Sequence, residues 1–371
     1  MQKIKYKTFS LRLHKKNWQS KKPNLCQFEL TFGCALHCRH CYSDCYNKAR
    51  FIKRELNTKE VKLVLDKVYG QGMLWLCFTG GDPFSRKDFL ELYAYAKDKG
   101  FIITIFTNAY SINKRIVSYL RDRPPFAIEI TLNAATEDSY EKISRVRGSF
   151  VKVIEGIDLI LKAKLPLKIK TQMTKDNLEE LPRIKKFVKS LGLKFRPSVL
   201  LNSRLDGDLT SCSLRISPQE VLSLNGNKNL SMDECRAPKY HVAGNRYQVS
   251  RKSYQNLFRC AIGGGDGVYI DPYGNTFPCI CIREPKVNLL KEDIRDARKK
   301  ILNWVRTRCF TRDSECRECS IRSTCYNCPG SALLETKNLE GASNWFCDLA
   351  HLLKRPLNAN RTLLTERYEI Y

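Results

Sequence analysis

Residues 26–45 read CQFELTFGCALHCRHCYSDC, a short apolar strand that runs directly into a loop crowded with thiols. The loop sets Cys34, Cys38 and Cys41 in a C-x-x-x-C-x-x-C pattern, with Cys45 four residues on. Three thiolates this close on one loop can wrap a compact metal group. They match three irons of a four-iron cubane, which takes one cysteine per iron and leaves the fourth iron to a small chelating molecule. A zinc ion is the other reading, with Cys45 or His40 as its fourth ligand. Structural zinc prefers paired C-x-x-C motifs, and this loop holds one.

Downstream of that loop, apolar strands alternate with helical patterns. Asn57 caps a predicted helix with Glu60 three residues later, then Val61, Val64, Leu65 and Val68 at helical spacing. MLWLCF (residues 73–78) is a second strand, closed by Gly80-Gly81. A helix over residues 89–99 leads to FIITIF (101–106), and AIEITL (127–132) is the fourth strand. Phe150, Val153, Ile154, Ile157 and Leu161 share one helical face before LKIKTQM (167–173). A helix over residues 178–191 precedes KFRPSVL (194–200), the sixth strand. Six strands alternating with helices imply parallel βαβ units, in an open sheet or a partial barrel. Functional loops then follow the carboxyl ends of strands. The thiol loop follows the first strand and TGGDP (79–83) the second, which predicts one shared active mouth. Beyond residue 200 the rhythm gives way to short polar segments, as in a loop-rich domain held by metal. The expected division is an N-terminal extension (1–23), a barrel (24–205) and a C-terminal domain (206–371).

The chain has 371 residues, 17 cysteines and 65 Lys+Arg against 38 Asp+Glu, a formal charge of +27. A chain this long buries a core without disulfide staples. Its cysteine count is odd, and the amino terminus has no apolar leader segment, so the thiols read as ligands or reagents in a reducing cytoplasm. No apolar run approaches the roughly 18 residues that a membrane span needs.

GCALHCRHC after the first strand and TGGDP after the second together resemble the radical S-adenosylmethionine superfamily. The resemblance implies a partial (β/α)6 barrel, in agreement with the six strands counted independently. It implies that Cys34, Cys38 and Cys41 bind a catalytic [4Fe-4S] cluster. The fourth iron chelates the amino and carboxylate groups of S-adenosylmethionine, which is cleaved reductively to a 5′-deoxyadenosyl radical. Gly80, Gly81, Asp82 and Pro83 stand where the family usually has G-G-E-P, whose backbone meets the methionine amino group. Thr107, Asn108 and Asn133 stand where the family groups approach the ribose or carboxylate. Arg145 or Arg147 could pair with that carboxylate.

CRECSIRSTCYNC (316–328) spaces four thiols as C-x2-C-x5-C-x2-C, and Cys260, Cys279 and Cys347 widen the pattern. This resembles the SPASM extension of the same superfamily, and with it the resemblance runs over roughly residues 24–350. The resemblance implies two auxiliary clusters, one on Cys316, Cys319, Cys325 and Cys347, the other on Cys260, Cys279 and Cys328. For the second, Cys281, Cys235 or an open position completes the set.

The charge attracts polyanions over a Debye length of about 8–10 Å, yet no RNA-binding motif or aromatic-interleaved basic stripe is present, so nucleic acid is not the expected partner. The resemblance implies a cytoplasmic enzyme that modifies a ribosomally made peptide, by crosslink, thioether or related oxidation. It also implies a flavodoxin- or ferredoxin-like electron donor and, as residues 1–33 are too few for a leader-binding module, a separate leader-recognition protein. The alternative within the family is synthesis of a tetrapyrrole or quinone cofactor. From another class comes a zinc-stabilised nucleic-acid-binding protein, which would be colourless.

Overall fold

The computed structural model describes residues 5–20, 22–226, 256–258, 260, 265–310, 314–322 and 325–354. Cys235 lies outside the described residues. The described residues form a nine-stranded sheet in the order β6-β5-β4-β3-β2-β1-β7-β8-β9. The first six strands are β1 (Leu25–Thr31), β2 (Trp75–Gly80), β3 (Ile102–Thr107), β4 (Ala127–Thr131), β5 (Leu167–Gln172) and β6 (Phe195–Ser198), and each pairs parallel with the next. The sheet stays unclosed, and this is a partial barrel with helices on one face.

Alternation along the strands sorts core from lumen. Leu76, Phe78, Ile103, Ile105, Ile128, Ile130 and Ile169 are buried and pack in one core with the helix side chains Val61, Val64, Leu65, Leu92 and Ile157. The intervening positions are polar. Glu129 pairs with Lys170 at 2.6 Å and Lys168 at 3.5 Å, and Cys77 lies within reach of the Lys170 and Glu129 charges. Cys77 is thus half-buried on the polar face. The Asn57 side chain accepts from the Lys59 and Glu60 amides while Glu60 reaches back to the Asn57 amide, so the expected capping box opens the helix Thr58–Gly70.

Three expected boundaries move. β2 runs two residues past the apolar segment because its ladder with β1 continues to Gly80. The helix expected from residue 178 begins at Leu181, after a turn closed by Glu180 N–H to the Asn177 carbonyl. The sixth strand shrinks to four residues. The helix Tyr6–Gln19 covers the end of the barrel opposite the strand exits: Trp75 Nε1 donates to the Tyr6 hydroxyl at 2.9 Å, and His14 stacks on Trp75.

The C-terminal part adds strands to the same sheet. β7 (Gly267–Ile270) pairs parallel with β1 on the side away from β2, and β8 (Asn275–Phe277) and β9 (Val287–Asn288) continue antiparallel from it. Among the described residues no helix is long and apolar enough to cross a membrane.

Candidate active site and metal centres

The thiol loop is tied down at both ends. Asn47 accepts from the Cys34 amide at 3.2 Å and donates to the Cys34 carbonyl at 3.0 Å, which folds residues 34–47 back on themselves. The His37 and Arg39 amides donate to the Ser144 and Ile143 carbonyls, both at 3.0 Å, so the loop sits on the end of the helix Glu137–Ser144. Arg39 then reaches Asp176 beyond β5 at 2.7 Å.

The three thiols crowd together. Burial, and then the Asp82 charge, push Cys34 up to about 12. Burial holds Cys38 well above the usual thiol value, with Cys41 and Cys34 adding to it. Cys41 is raised by burial and offset in part by Ser43. Thiols that oppose each other's ionisation in a half-buried loop need a cation to become thiolates, and metal binding supplies one while releasing the protons. A zinc ion draws each sulfur to about 2.3 Å from one centre. A four-iron cluster instead takes one sulfur per iron, which three thiols on one loop can supply.

The TGGDP segment is laid against this loop by backbone contact. Gly81 N–H donates to the Thr31 carbonyl at 2.7 Å and Asp82 N–H to the Gly33 carbonyl at 2.9 Å. A Cβ on Gly80, whose φ is +125°, would come within 2.1 Å of the Thr31 carbonyl oxygen, and one on Gly81 within 2.5 Å of the Phe32 and Gly33 oxygens. Only glycine fits this approach. The buried Asp82 carboxylate accepts from Phe84 N–H at 2.9 Å, the Thr107 hydroxyl at 2.7 Å and Asn108 N–H at 2.9 Å. Burial raises its pKa, and these three donors offset the rise in part. Pro83 opens the short 3-10 turn that Asp82 caps.

The side chains of Asp82, Thr107, Asn108 and Asn133, expected near the bound nucleoside or amino acid, also bond to protein groups. Thr107 also accepts from Ala109 N–H. Asn108 Nδ2 donates to Cys34 Sγ at 3.2 Å while its Oδ1 accepts from Tyr110 N–H. Asn133 Nδ2 donates to His40 Nε2 at 3.2 Å, and its Oδ1 accepts from Gln172 N–H at 2.9 Å. Burial pushes His40 down to about 4, so its ring is neutral and free to accept that bond. These side chains brace the exits of β1 to β5 into one mouth. Arg145, with φ +59°, and Arg147 are both exposed on the turn after Ser144, beside the thiol loop.

Several side chains escaped the sequence reading. Tyr140 is buried within reach of the Cys38, Cys34 and Asp82 charges, and its hydroxyl is raised well above the usual value, by burial first. Glu29, the one acidic residue of β1, is 1% exposed and takes a bidentate pair from Arg283, at 2.6 and 3.0 Å. Arg283 Nε donates to the Ile280 carbonyl, and the Tyr42 hydroxyl donates to Glu29 at 3.4 Å. Burial alone would lower the Arg283 pKa, but Glu29 beside it holds the guanidinium above its usual value. Tyr42 feels the charges of both Cys41 and Cys281. A polar strap thus joins the first thiol loop to the C-terminal thiols. A charged residue inside an apolar strand was its only trace in the sequence.

The C-terminal thiols gather in two groups. Cys316 feels Cys347 and Cys319, and Cys325 feels Cys316, Cys347 and Cys319. Asn327 N–H donates to Cys325 Sγ at 3.4 Å. Separately, Cys328 caps the helix Pro329–Thr336, its sulfur accepting from Ser331 N–H, and lies within charge range of Cys279 and Cys281. Cys260 is exposed.

Residues 28–188 match the family model described as the Radical SAM superfamily. The AdoMet-dependent heme synthase of Methanosarcina barkeri is 25% identical over 336 residues, 85% of this chain and 93% of that protein. The PqqA peptide cyclase of Bradyrhizobium diazoefficiens is 31% identical over 156 residues, 42% of this chain and 40% of that protein. The solved structure of Streptococcus suis SuiB bound to its precursor peptide SuiA has a TM-score of 0.66 at 18% identity, over 94% of this chain and 82% of that one.

Proposed function

This chain belongs to the radical S-adenosylmethionine superfamily, and from that premise we propose that it is a SPASM-type maturase that abstracts hydrogen from a ribosomally made peptide. The observation that carries the enzyme reading is three half-buried thiols at the β1 exit, opposed in ionisation and pressed against a double-glycine backbone contact. In this reading Cys34, Cys38 and Cys41 each ligate one iron. When bound, that cluster supplies the electron that cleaves S-adenosylmethionine to a 5′-deoxyadenosyl radical. Asn108 orients Cys34 through its amide. Asp82 holds the β2 and β3 exits at a set distance, while Gly80 and Gly81 leave backbone exposed for the methionine amino group. Arg145 offers a guanidinium to the carboxylate. The two C-terminal thiol groups would hold auxiliary clusters, which would offer sites for the electron released in an oxidation. A flavodoxin- or ferredoxin-like protein supplies reducing equivalents.

For the peptide, support comes from a peptide cyclase relative that matches 42% of this chain and a fold shared with SuiB, solved bound to its precursor peptide. A second reading, synthesis of a tetrapyrrole cofactor, is favoured by a heme synthase match that spans nearly all of that relative. Anaerobic reconstitution with S-adenosylmethionine and dithionite tests both. The expected result is brown protein with absorbance near roughly 400 nm, about eleven to twelve irons per chain, and 5′-deoxyadenosine that Cys38→Ala abolishes. Stimulation of 5′-deoxyadenosine by a short peptide encoded nearby supports the peptide reading; stimulation by a carboxylated tetrapyrrole alone replaces it. Colourless protein holding only zinc overturns the scheme.

A further inference from the structure

We propose that Cys281, a thiol outside the family's cysteine pattern, is an iron ligand of the inner C-terminal site together with Cys279 and Cys328. The inference rests on reading the C-terminal thiols as iron–sulfur ligands. Its first support is local geometry. Residues 279–282 form a tight turn, closed by Ile282 N–H to the Cys279 carbonyl at 2.9 Å in an isolated antiparallel bridge. The turn brings Cys281 back toward Cys279. Ile282, the next residue, goes instead into an apolar cluster with Leu257, Phe258 and Val305. Cys279 packs partly against the same cluster, so the turn lies at its edge.

The second support is the third thiol. The helix Pro329–Thr336 begins at Cys328 and drives its first turn into the 279–282 turn. A Cβ on Gly330 would come within 2.8 Å of Cys281 Cβ and 3.6 Å of Cys279 Sγ. A glycine at that point lets the helix start approach until the charge of Cys328 bears on both other thiols. Cys281 is 8% exposed, and the Cys279 and Cys328 thiols and the Arg283 guanidinium lie within charge range of it. Three thiols, one buried and two half-buried, beside a guanidinium suit an iron–sulfur cluster, whose potential answers to nearby charge.

The test uses the full chain with Cys34, Cys38 and Cys41 replaced by Ala, reconstituted anaerobically, so that C-terminal iron is counted alone. Iron, sulfide and the EPR spectrum of the dithionite-reduced protein are read for this parent, for Cys281→Ala, for Cys281→Ser and for Cys309→Ala. Cys281→Ala is expected to lose about four irons and one reduced-cluster signal. Cys281→Ser is expected to retain iron with a shifted spectrum, because an alkoxide replaces a thiolate. Cys309→Ala is expected to match the parent. If Cys281→Ala does not fold, the serine variant decides. Parent-like iron and spectra in the Cys281 variants that fold overturn the role of Cys281 alone, whereas a parent that takes up zinc and no iron overturns the cluster reading beneath it.

Discussion

Arg283→Met removes one half of the ion pair that joins β1 to the C-terminal thiols. Methionine keeps most of the stem volume, so the variant isolates the charge. What remains is Glu29 at 1% exposure, having lost donors at 2.6 and 3.0 Å. Removing one partner of a buried pair costs about 3–5 kcal/mol. Two features shift that range. The Arg283 side chain is 21% exposed and the Tyr42 hydroxyl still donates to Glu29, which together favour the lower end. Loss of the guanidinium 4.4 Å above Phe277 adds roughly 0.5–1 kcal/mol. The expected loss is therefore about 3–4 kcal/mol. Urea unfolding under anaerobic conditions, followed by both tryptophan fluorescence and far-UV circular dichroism, measures it. The double variant Glu29→Leu/Arg283→Met should recover to within about 1 kcal/mol of the parent, since a well-packed apolar pair replaces a buried ionic one at little cost. A loss below about 1 kcal/mol in Arg283→Met, or a double variant no more stable than the single one, would refute the claim that this pair is buried and unsupported by water.

Three further outcomes are expected. Gly80→Ala should destabilise by more than about 3 kcal/mol because its Cβ meets the Thr31 carbonyl. Gly148→Ala, also at positive φ but with open space around it, should lose only about 1–2 kcal/mol; equal losses would show that the two strand exits do not touch. Asn108→Ala removes a donor from Cys34 Sγ. One hydrogen bond worth about 1 kcal/mol favours the reduced, more negative cluster, so the midpoint potential should fall by about 40 mV, and an unchanged redox titration would show the amide pointing elsewhere. Asp82 has a folded pKa raised by burial above an unfolded value of about 3.9. Folding therefore takes up a proton between about pH 4 and the raised value, and stability falls as pH rises through that window. Asp82→Asn should flatten that part of the unfolding free energy against pH, and identical slopes would place the carboxylate in water.

By itself the sequence determined what local physics controls. Each parallel strand carries its own apolar run and each helix its own stripe, so six βα steps could be counted without knowing their neighbours. Asn57 and Glu60 announced a helix start because a capping box is complete within four residues. The spacing of Cys34, Cys38 and Cys41 named a metal-binding loop because all three thiols lie on one turn of chain. The tertiary structure decided whatever depends on pairing across distance. Nothing local in GVYI at residues 267–270 says that it adds to β1, because backbone hydrogen bonds carry no side-chain label. Nor could Glu29 be matched to Arg283, 254 residues away, from a formal charge shared with many candidates. Asp82 read as a ligand contact because its motif is known by composition; its burial against Thr107 and Asn108 follows only once β2 and β3 lie side by side. For the inner C-terminal site the sequence left Cys281, Cys235 or an open position, and only the turn at 279–282 and the helix start at Cys328 place Cys281 near other thiols. Order along the chain fixes period and spacing, while convergence in space depends on how the sheet brings distant segments together.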